Sequence, residues 1–182
     1  LPPAHFLRVT KGAAISEPRP YWSAFDTACA APPLTDGIDT VSRLGEVLDR
    51  AVGAQMVADV PIGAFLSGGI DSSSIVASMQ RQLSSPARTF TIGFTESAYD
   101  ESGYAADVAA ALGTDHTELV VSPEDAMRVI PDLASIYDEP FADSSQIPTY
   151  LVSRMAREDV TVALSGDGGD ELFGGYARYQ QI

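Results

Sequence analysis

With 182 residues, 45% of them hydrophobic and 20% charged, the chain has globular composition and can bury one ordinary core with at most an appendage beside it. A formal net charge of -14 and a pI near 4.2 argue against nucleic acid as a partner, because a phosphate backbone would be repelled. No apolar run reaches membrane-spanning length and Leu1-Pro-Pro-Ala-His5 lacks the basic start and apolar centre of a signal peptide, so a cytoplasmic protein with no membrane contact is expected.

The runs His5 to Val9 and Ala14 to Ser16 flank Lys11-Gly12, the pattern of a small hairpin. Two strands alone are marginal in water, so these should pair with a further partner. From Glu17 to Asp36, Pro18, Pro20, Pro32 and Pro33 among small residues predict an irregular linker, with Tyr21 and Trp22 anchoring it to a surface. It carries Cys29, the only cysteine, which reads as a passive thiol and fits a reducing compartment. From about Asp39, the residues Val41, Leu44, Leu48 and Ala51 repeat at helical spacing to near Val57.

Four strand-like runs then alternate with helical ones. The strands are expected at Ile62 to Leu66, Thr89 to Phe94, His116 to Val121 and Val160 to Leu164. The helices are expected near Ser72 to Leu83, Glu101 to Leu112, Pro123 to Tyr137 and Ile147 to Arg157. Such alternation predicts an α/β fold, a parallel sheet with helices on both faces, preceded by the short N-terminal hairpin and linker. The expected division is residues 1–37 as hairpin and linker and 38–182 as the first part of a larger domain. A chain that begins with Leu is expected to be a piece of something longer.

Chemistry is concentrated in two glycine turns. At Ser67-Gly68-Gly69-Ile70-Asp71-Ser72-Ser73 a strand gives way to a helix. The glycines permit a tight bend and close approach to a ligand. The hydroxyls of Ser67, Ser72 and Ser73 and the unpaired N–H groups of the first helical turn suit an anion, most naturally a phosphate. No Lys follows the glycines, so this is not the common G-x-x-x-x-G-K-[ST] loop. A carboxylate beside phosphates makes sense with a cation between them, and Asp71 is therefore expected to ligate Mg²⁺. A Gly-Gly turn with a Ser/Asp helix cap is the alternative. The second turn, Ser165 to Gly175, holds Asp167, Asp170 and Glu171 among glycines, and Asp170 is the natural second Mg²⁺ ligand. Standing alone, it would read as a solvated acidic turn.

Ser67-Gly-Gly-Ile-Asp-Ser-Ser73 resembles the pyrophosphate-binding loop of ATP pyrophosphatases (the PP-loop superfamily), and Leu164-Ser-Gly-Asp-Gly-Gly-Asp-Glu-Leu-Phe-Gly-Gly-Tyr176 resembles its glutamine-hydrolysing asparagine synthetase branch. The resemblance implies an adenine nucleotide alpha hydrolase-like fold in which the first and fourth of these strands are neighbours. It implies that Leu66, Ser67, Gly68, Gly69, Asp71, Ser72 and Ser73 hold pyrophosphate and metal. Ile92 and Gly93 would recognise adenine through the backbone, Gly166 and Asp170 would complete the nucleotide and metal site, and Asp167 and Glu171 would be catalytic carboxylates. Asp167 is one methylene shorter than the Glu of well-known asparagine synthetases. The cofactors implied are ATP and Mg²⁺. The partners implied are a small carboxylate substrate, most naturally aspartate, an upstream glutaminase domain whose closing strands Leu1-Pro-Pro-Ala-His5 resembles, and a homodimer as a further option.

Several positions receive a structural assignment. Asp100-Glu101 opens a helix and is expected to be a cap rather than a catalytic pair. His116 has no visible triad partner and is expected to be structural. Asp143, Ser144 and Ser145 are placed to cap the next helix, within a stretch, 138–148, expected near the acceptor substrate. That stretch contains no Arg, where well-known asparagine synthetases carry one. This leaves open a synthetase that closes a β-lactam or a peptide by the same adenylation. Lys11 is the only lysine and lies in the hairpin, whereas the family's catalytic lysine comes from further along its domain. The chain by itself is therefore expected to bind ATP-Mg weakly without turnover, and a non-catalytic nucleotide-binding module is the remaining alternative.

Overall fold

The computed structural model describes residues 1–31, 38–96, 100–140 and 142–181. Residues 32–37 of the expected linker, and residue 141 of the stretch 138–148, lie outside them. The chain divides into two compact units, Leu1–Arg43 and Leu44–Ile182.

In the first unit the hairpin forms around a turn closed by the Ala13 N–H on the Thr10 carbonyl at 3.1 Å. Its ladder is not the expected one. Strand β1 (His5–Phe6) pairs antiparallel with β2 (Arg19–Pro20), beyond the run Ala14 to Ser16. The two expected runs are still joined at Ser16, whose N–H donates to the Arg8 carbonyl at 3.4 Å and whose hydroxyl accepts from the Arg8 N–H at 3.1 Å and donates to the Arg8 carbonyl at 3.0 Å. The expected linker also contains a helix, α1 (Ala24–Ala30), started by the Ser23 hydroxyl accepting from the Asp26 N–H. It ends at Ala31, which is extended, as a residue before proline prefers to be. Tyr21 and Trp22, expected as anchors, are exposed, and so is Cys29.

The second unit is built on four parallel strands, β3 (Ile62–Phe65), β4 (Arg88–Phe94), β5 (Asp115–Val121) and β6 (Val162–Leu164), in the order β5-β4-β3-β6. Chain order thus runs outward from β3 to β5 and then returns to the other side of β3. The reversal point falls between β3 and β6, where ligands bind in open parallel sheets. Short strands alternate their side chains between two covered faces. Ala64 and Leu66 pack with Val52 of α2 (Ile38–Gln55), with Val76 and Met79 of α3 (Ile70–Gln82) and with Ala105 and Ala109 of α4 (Ser102–Leu112). On the opposite face Phe90 packs with Val152 and Ala156 of α7 (Gln146–Ala156) and with Val160. Val121, Leu151 and Val129, the last on α5 (Pro123–Val129), extend that layer.

The helix expected over Pro123 to Tyr137 is broken into α5, a 3-10 turn at Ile130–Asp132 and the short α6 (Leu133–Ile136). Pro131 has no N–H to continue an α-helical ladder and its ring crowds the preceding turn, which accounts for the break. In the sheet, His116 lies opposite Thr89, with its Nδ1 2.9 Å from the Thr89 hydroxyl. The Thr89 hydroxyl also lies 2.9 Å from that of Thr114. Burial pushes the imidazole pKa down, against a smaller opposing pull from Glu118.

No helix among the described residues is long and apolar enough to cross a membrane. Met79 is fully buried between α3 and the sheet, so Met79→Ala should lose about 2–5 kcal/mol in chemical denaturation, and Val57→Ala, at an exposed position, less than about 0.5 kcal/mol. The folded chain holds His116 neutral more readily than the unfolded chain, whose imidazole takes a proton near pH 6.5. Stability should therefore fall as pH drops from 7.5 to 5.5, and by less in His116→Gln than in the wild type. Equal losses in both proteins would assign the slope to other groups.

Candidate functional site

The loop after β3 is closed on itself. The Ser67 N–H donates to the Ser72 hydroxyl oxygen at 3.1 Å, the Ser67 and Ser72 hydroxyls lie 2.9 Å apart, and the Ser72 hydroxyl reaches the Gly69 carbonyl at 3.3 Å. Ser72 is thus a staple across the turn. Gly68 has φ +77°, and a Cβ there would lie 2.6 Å from the Tyr104 Cβ and 2.7 Å from the Ala105 nitrogen. The first turn of α4 therefore packs directly on this loop, and the residue must be glycine on two counts, conformation and space. Gly69 is the N-cap of α3 and supplies no side chain to it, so the N–H groups of the first helical turn receive no cap from that residue.

The loop after β6 reaches the same place from the neighbouring strand. A Cβ on Gly166 would lie 2.8 Å from the Ser72 nitrogen and 3.0 Å from the Asp71 carbonyl carbon, and one on Gly169 would run into the Asp71 carboxylate. Backbone of the second loop thus lies directly against the first turn of α3. Asp167 is held by Ser165, whose hydroxyl donates to its carboxylate at 3.0 Å. The acidic segment continues as a five-residue helix, α8 (Gly169–Phe173), within what was expected as a glycine turn. Left-handed Gly168 and Gly174 bound it, and Gly175 packs against the Asp170 carboxylate.

Between the loops lies a cleft of about 640 Å³. Its apolar part is lined by Phe65, Phe90, Ile92 and Phe94 of the sheet with Pro148 and Val152 of α7. Its polar part is lined by Ser67, Asp71, Ser72, the run 165–171, Glu101, Thr149 and Tyr176. Of the residues singled out from the sequence, Leu66, Ser67, Asp71, Ser72, Ile92, Gly166, Asp167, Asp170 and Glu171 come together on this cleft. Gly68, Gly69, Gly93 and Ser73 do not line it. Gly68 and Gly69 shape the first loop, and a Cβ on Gly93 would crowd Ser102 and the Glu118 carboxylate. The Ser73 hydroxyl is buried with no partner among the described residues.

Glu101 and Tyr176 line the cleft and were not singled out as functional. Glu101 was expected only as half of a cap; in fact Asp100 makes the capping bonds and Glu101 faces the cleft. The Asp100 carboxylate accepts from the Ser102 N–H at 3.1 Å and the Phe94 N–H at 3.3 Å, and hydrogen bonds to Ser102, with the Phe94 bond adding, hold its carboxyl below the usual range. The position of Glu101 in the connection from β4 to α4, which follows the carboxyl end of a parallel strand, was the available signal. Tyr176 donates its hydroxyl hydrogen to Glu171 Oε1 at 2.8 Å. That bond holds the Glu171 carboxyl below the usual range, with Arg178 adding, and pushes the Tyr176 phenol up. At the entrance to α7, Asp143 accepts from the Ser145 N–H at 2.8 Å, as a turn cap.

The Asparagine synthase family model matches residues 43–182. The chain is 42% identical over 150 residues to asparagine synthetase [glutamine-hydrolyzing] 1 of Bacillus subtilis, covering 82% of the chain and 24% of the relative. It is 45% identical over 160 residues to putative asparagine synthetase [glutamine-hydrolyzing] 2 of Methanocaldococcus jannaschii, covering 87% of the chain and 30% of the relative. It therefore spans 24% to 30% of the length of these curated relatives. Among solved structures, the fold is shared with an NH3-dependent NAD synthetase from Campylobacter jejuni, at TM-score 0.51 and 15% identity over 75% of this chain and 60% of that one. An NMN synthetase from Francisella tularensis matches at TM-score 0.53 and 14% identity, over 76% of this chain and 59% of that one.

The contact between the loops leaves no room at Gly166. Gly166→Ala should cost about 1–3 kcal/mol in thermal or chemical denaturation, because the atom it meets is backbone. Gly103→Ala, in α4 with open space around the added Cβ, should be neutral or add up to about 1 kcal/mol.

Proposed function

The chain belongs to the asparagine synthase family, and from that premise we propose that it forms the ATP-binding part of a glutamine-dependent amide ligase. The observation that carries this proposal is the direct contact of Gly166 and Gly169 with the first turn of α3 and its Asp71 carboxylate. It places both glycine loops on one cleft at the reversal point of a parallel sheet. The apolar half of the cleft suits a planar base and the polar half a polyphosphate.

In this proposal adenine lies against Ile92, recognised through the backbone of Ile92 and Gly93. The turn Ser67-Gly68-Gly69 and the start of α3 hold the β- and γ-phosphates. The carboxylates of Asp71 and Asp170 fit a magnesium ion: hard oxygen donors, few of them, beside a phosphate site. No group of three or more His, Cys, Asp or Glu side chains is placed to hold a metal among the described residues, and Mg²⁺ characteristically takes one or two carboxylates and completes its shell with phosphate oxygens and water. When bound, it would neutralise charge on the phosphates. An oxygen of the acceptor carboxylate then attacks the α-phosphorus, the bond to the β-phosphate breaks, and pyrophosphate leaves. Ammonia from a glutaminase domain adds to the acyl carbon and AMP departs, giving an amide. Asp167 and Glu171 would orient the acceptor or carry protons between these steps.

Aspartate is the proposed acceptor, following the relatives' names. A second proposal, a synthetase that closes a β-lactam or a peptide, is favoured by one observation. No Lys or Arg is among the residues lining the cleft, so none of them offers an ion pair to the free α-carboxylate of aspartate. Amide formation assayed with aspartate and with peptide acceptors separates the two.

The nucleotide site is tested by isothermal titration with ATP in the presence and absence of Mg²⁺. Asp71→Asn keeps the shape and removes the charge; it should weaken Mg²⁺-dependent binding by at least about tenfold, some 1.4 kcal/mol, and leave Mg²⁺-independent binding no weaker. Equal affinity in the variant would remove Asp71 from the metal site.

A further inference from the structure

We propose that Tyr176, clamped by Arg178, is a positioning residue that fixes the Glu171 carboxylate at the mouth of the cleft. The inference rests on the proposed role of Glu171 in the ligase reaction.

Glu171 lies on a helix of only five residues, bounded at both ends by left-handed glycines, and its side chain is exposed. Nothing in so short a helix fixes a carboxylate by packing. What fixes it is the chain doubling back after α8. The Gly175 N–H donates to the Asp170 carbonyl at 3.0 Å, and Gly175 sits against the Asp170 carboxylate where any side chain would collide. This turn delivers the Tyr176 ring to the cleft wall, with its hydroxyl donating to Glu171 Oε1 at 2.8 Å.

The ring is itself held. The Arg178 guanidinium stands over it at 4.2 Å from the centroid, and the Tyr179 ring meets it edge-to-face at 5.5 Å. Arg178 makes no ion pair among the described residues; its cation lies on the faces of the two tyrosines, the second at 5.6 Å, and its charge also helps hold Glu171 ionised. A cation on the face of a phenol also draws electron density from the hydroxyl and makes it a better donor to an anion. The bond ties Glu171 Oε1 to one donor and so fixes the orientation of the carboxylate instead of leaving it free to rotate.

The test is a double-mutant cycle in the whole protein, reading kcat and KM for pyrophosphate release, with melting temperature as a control on folding. Tyr176→Phe keeps the ring and removes the donor. It should lower kcat roughly tenfold, the worth of one hydrogen bond to a charged group, with KM for ATP changed less than about twofold. Arg178→Met should give a smaller loss of the same kind. In a Glu171→Gln background, Tyr176→Phe should cause no further loss, because the group it orients has already been altered. If Glu171→Gln is itself silent, the assigned role of Glu171 fails and this inference with it. If Glu171→Gln is impaired but Tyr176→Phe is silent, or its loss simply adds, Tyr176 does not act through Glu171 and the inference alone is overturned.

Discussion

Gly166 lies with its backbone against that of Asp71 and Ser72, and the rest of the cleft depends on that contact. Two hydrogen-bonded neighbours in a parallel sheet bring their carboxyl ends to within a strand spacing of one another. Whether the loops that follow can then share a site is decided by what stands between them. Here nothing does. The second loop meets the first turn of α3 backbone to backbone, and Gly169 lets the Asp71 carboxylate lie alongside. A methyl group at either place would wedge the loops apart and move Asp71 away from the acidic segment.

The contact also explains how the polar groups are divided. Ser67 and Ser72 bond mainly to each other and to the turn, so their first contribution is the shape of the loop. Arg81 pairs with Asp49 and Arg128 with Asp125, and none of the four lines the cleft. The cleft itself gathers Asp71, Glu101, Asp167, Asp170 and Glu171 without a basic residue in its lining. Two of these are fixed by neutral donors, Asp167 by a serine and Glu171 by a tyrosine. Gathered carboxylates repel each other and any anion, so a cation bound among them would relieve the strain and make a polyphosphate welcome. An acidic chain can in this way serve a polyanionic substrate.

The sheet and the site were legible in the sequence to the extent that single residues dictate them. Apolar runs bounded by Gly and Pro located the four core strands to within two residues, and the glycine motifs marked both loops at the switch point. Adjacency of β3 and β6 was not legible from pattern; it came from family resemblance, because strand order is a non-local property. Two errors arose from signals that were present. Pro131 marked the end of α5, and Ser23 with Asp26 three residues on marked the start of α1 inside a stretch dismissed as linker for its prolines. The register of the hairpin was hidden because the Ser16 hydroxyl takes the Arg8 N–H that a backbone ladder would use. The Tyr176 bond to Glu171 depends on a fold-back through left-handed Gly174, which composition alone does not specify. The placement of Glu101 was missed for a different reason: a cap and a site residue stand side by side, and the capping pattern of Asp100 masked its neighbour.

The central claim is that the turns after β3 and β6 form one magnesium–nucleotide site. It is tested most directly by following backbone amide resonances while ATP is titrated in with Mg²⁺. The amides of 67–73 and 166–171 should shift together, with one shared midpoint. Shifts confined to one loop, or two different midpoints, would contradict the claim.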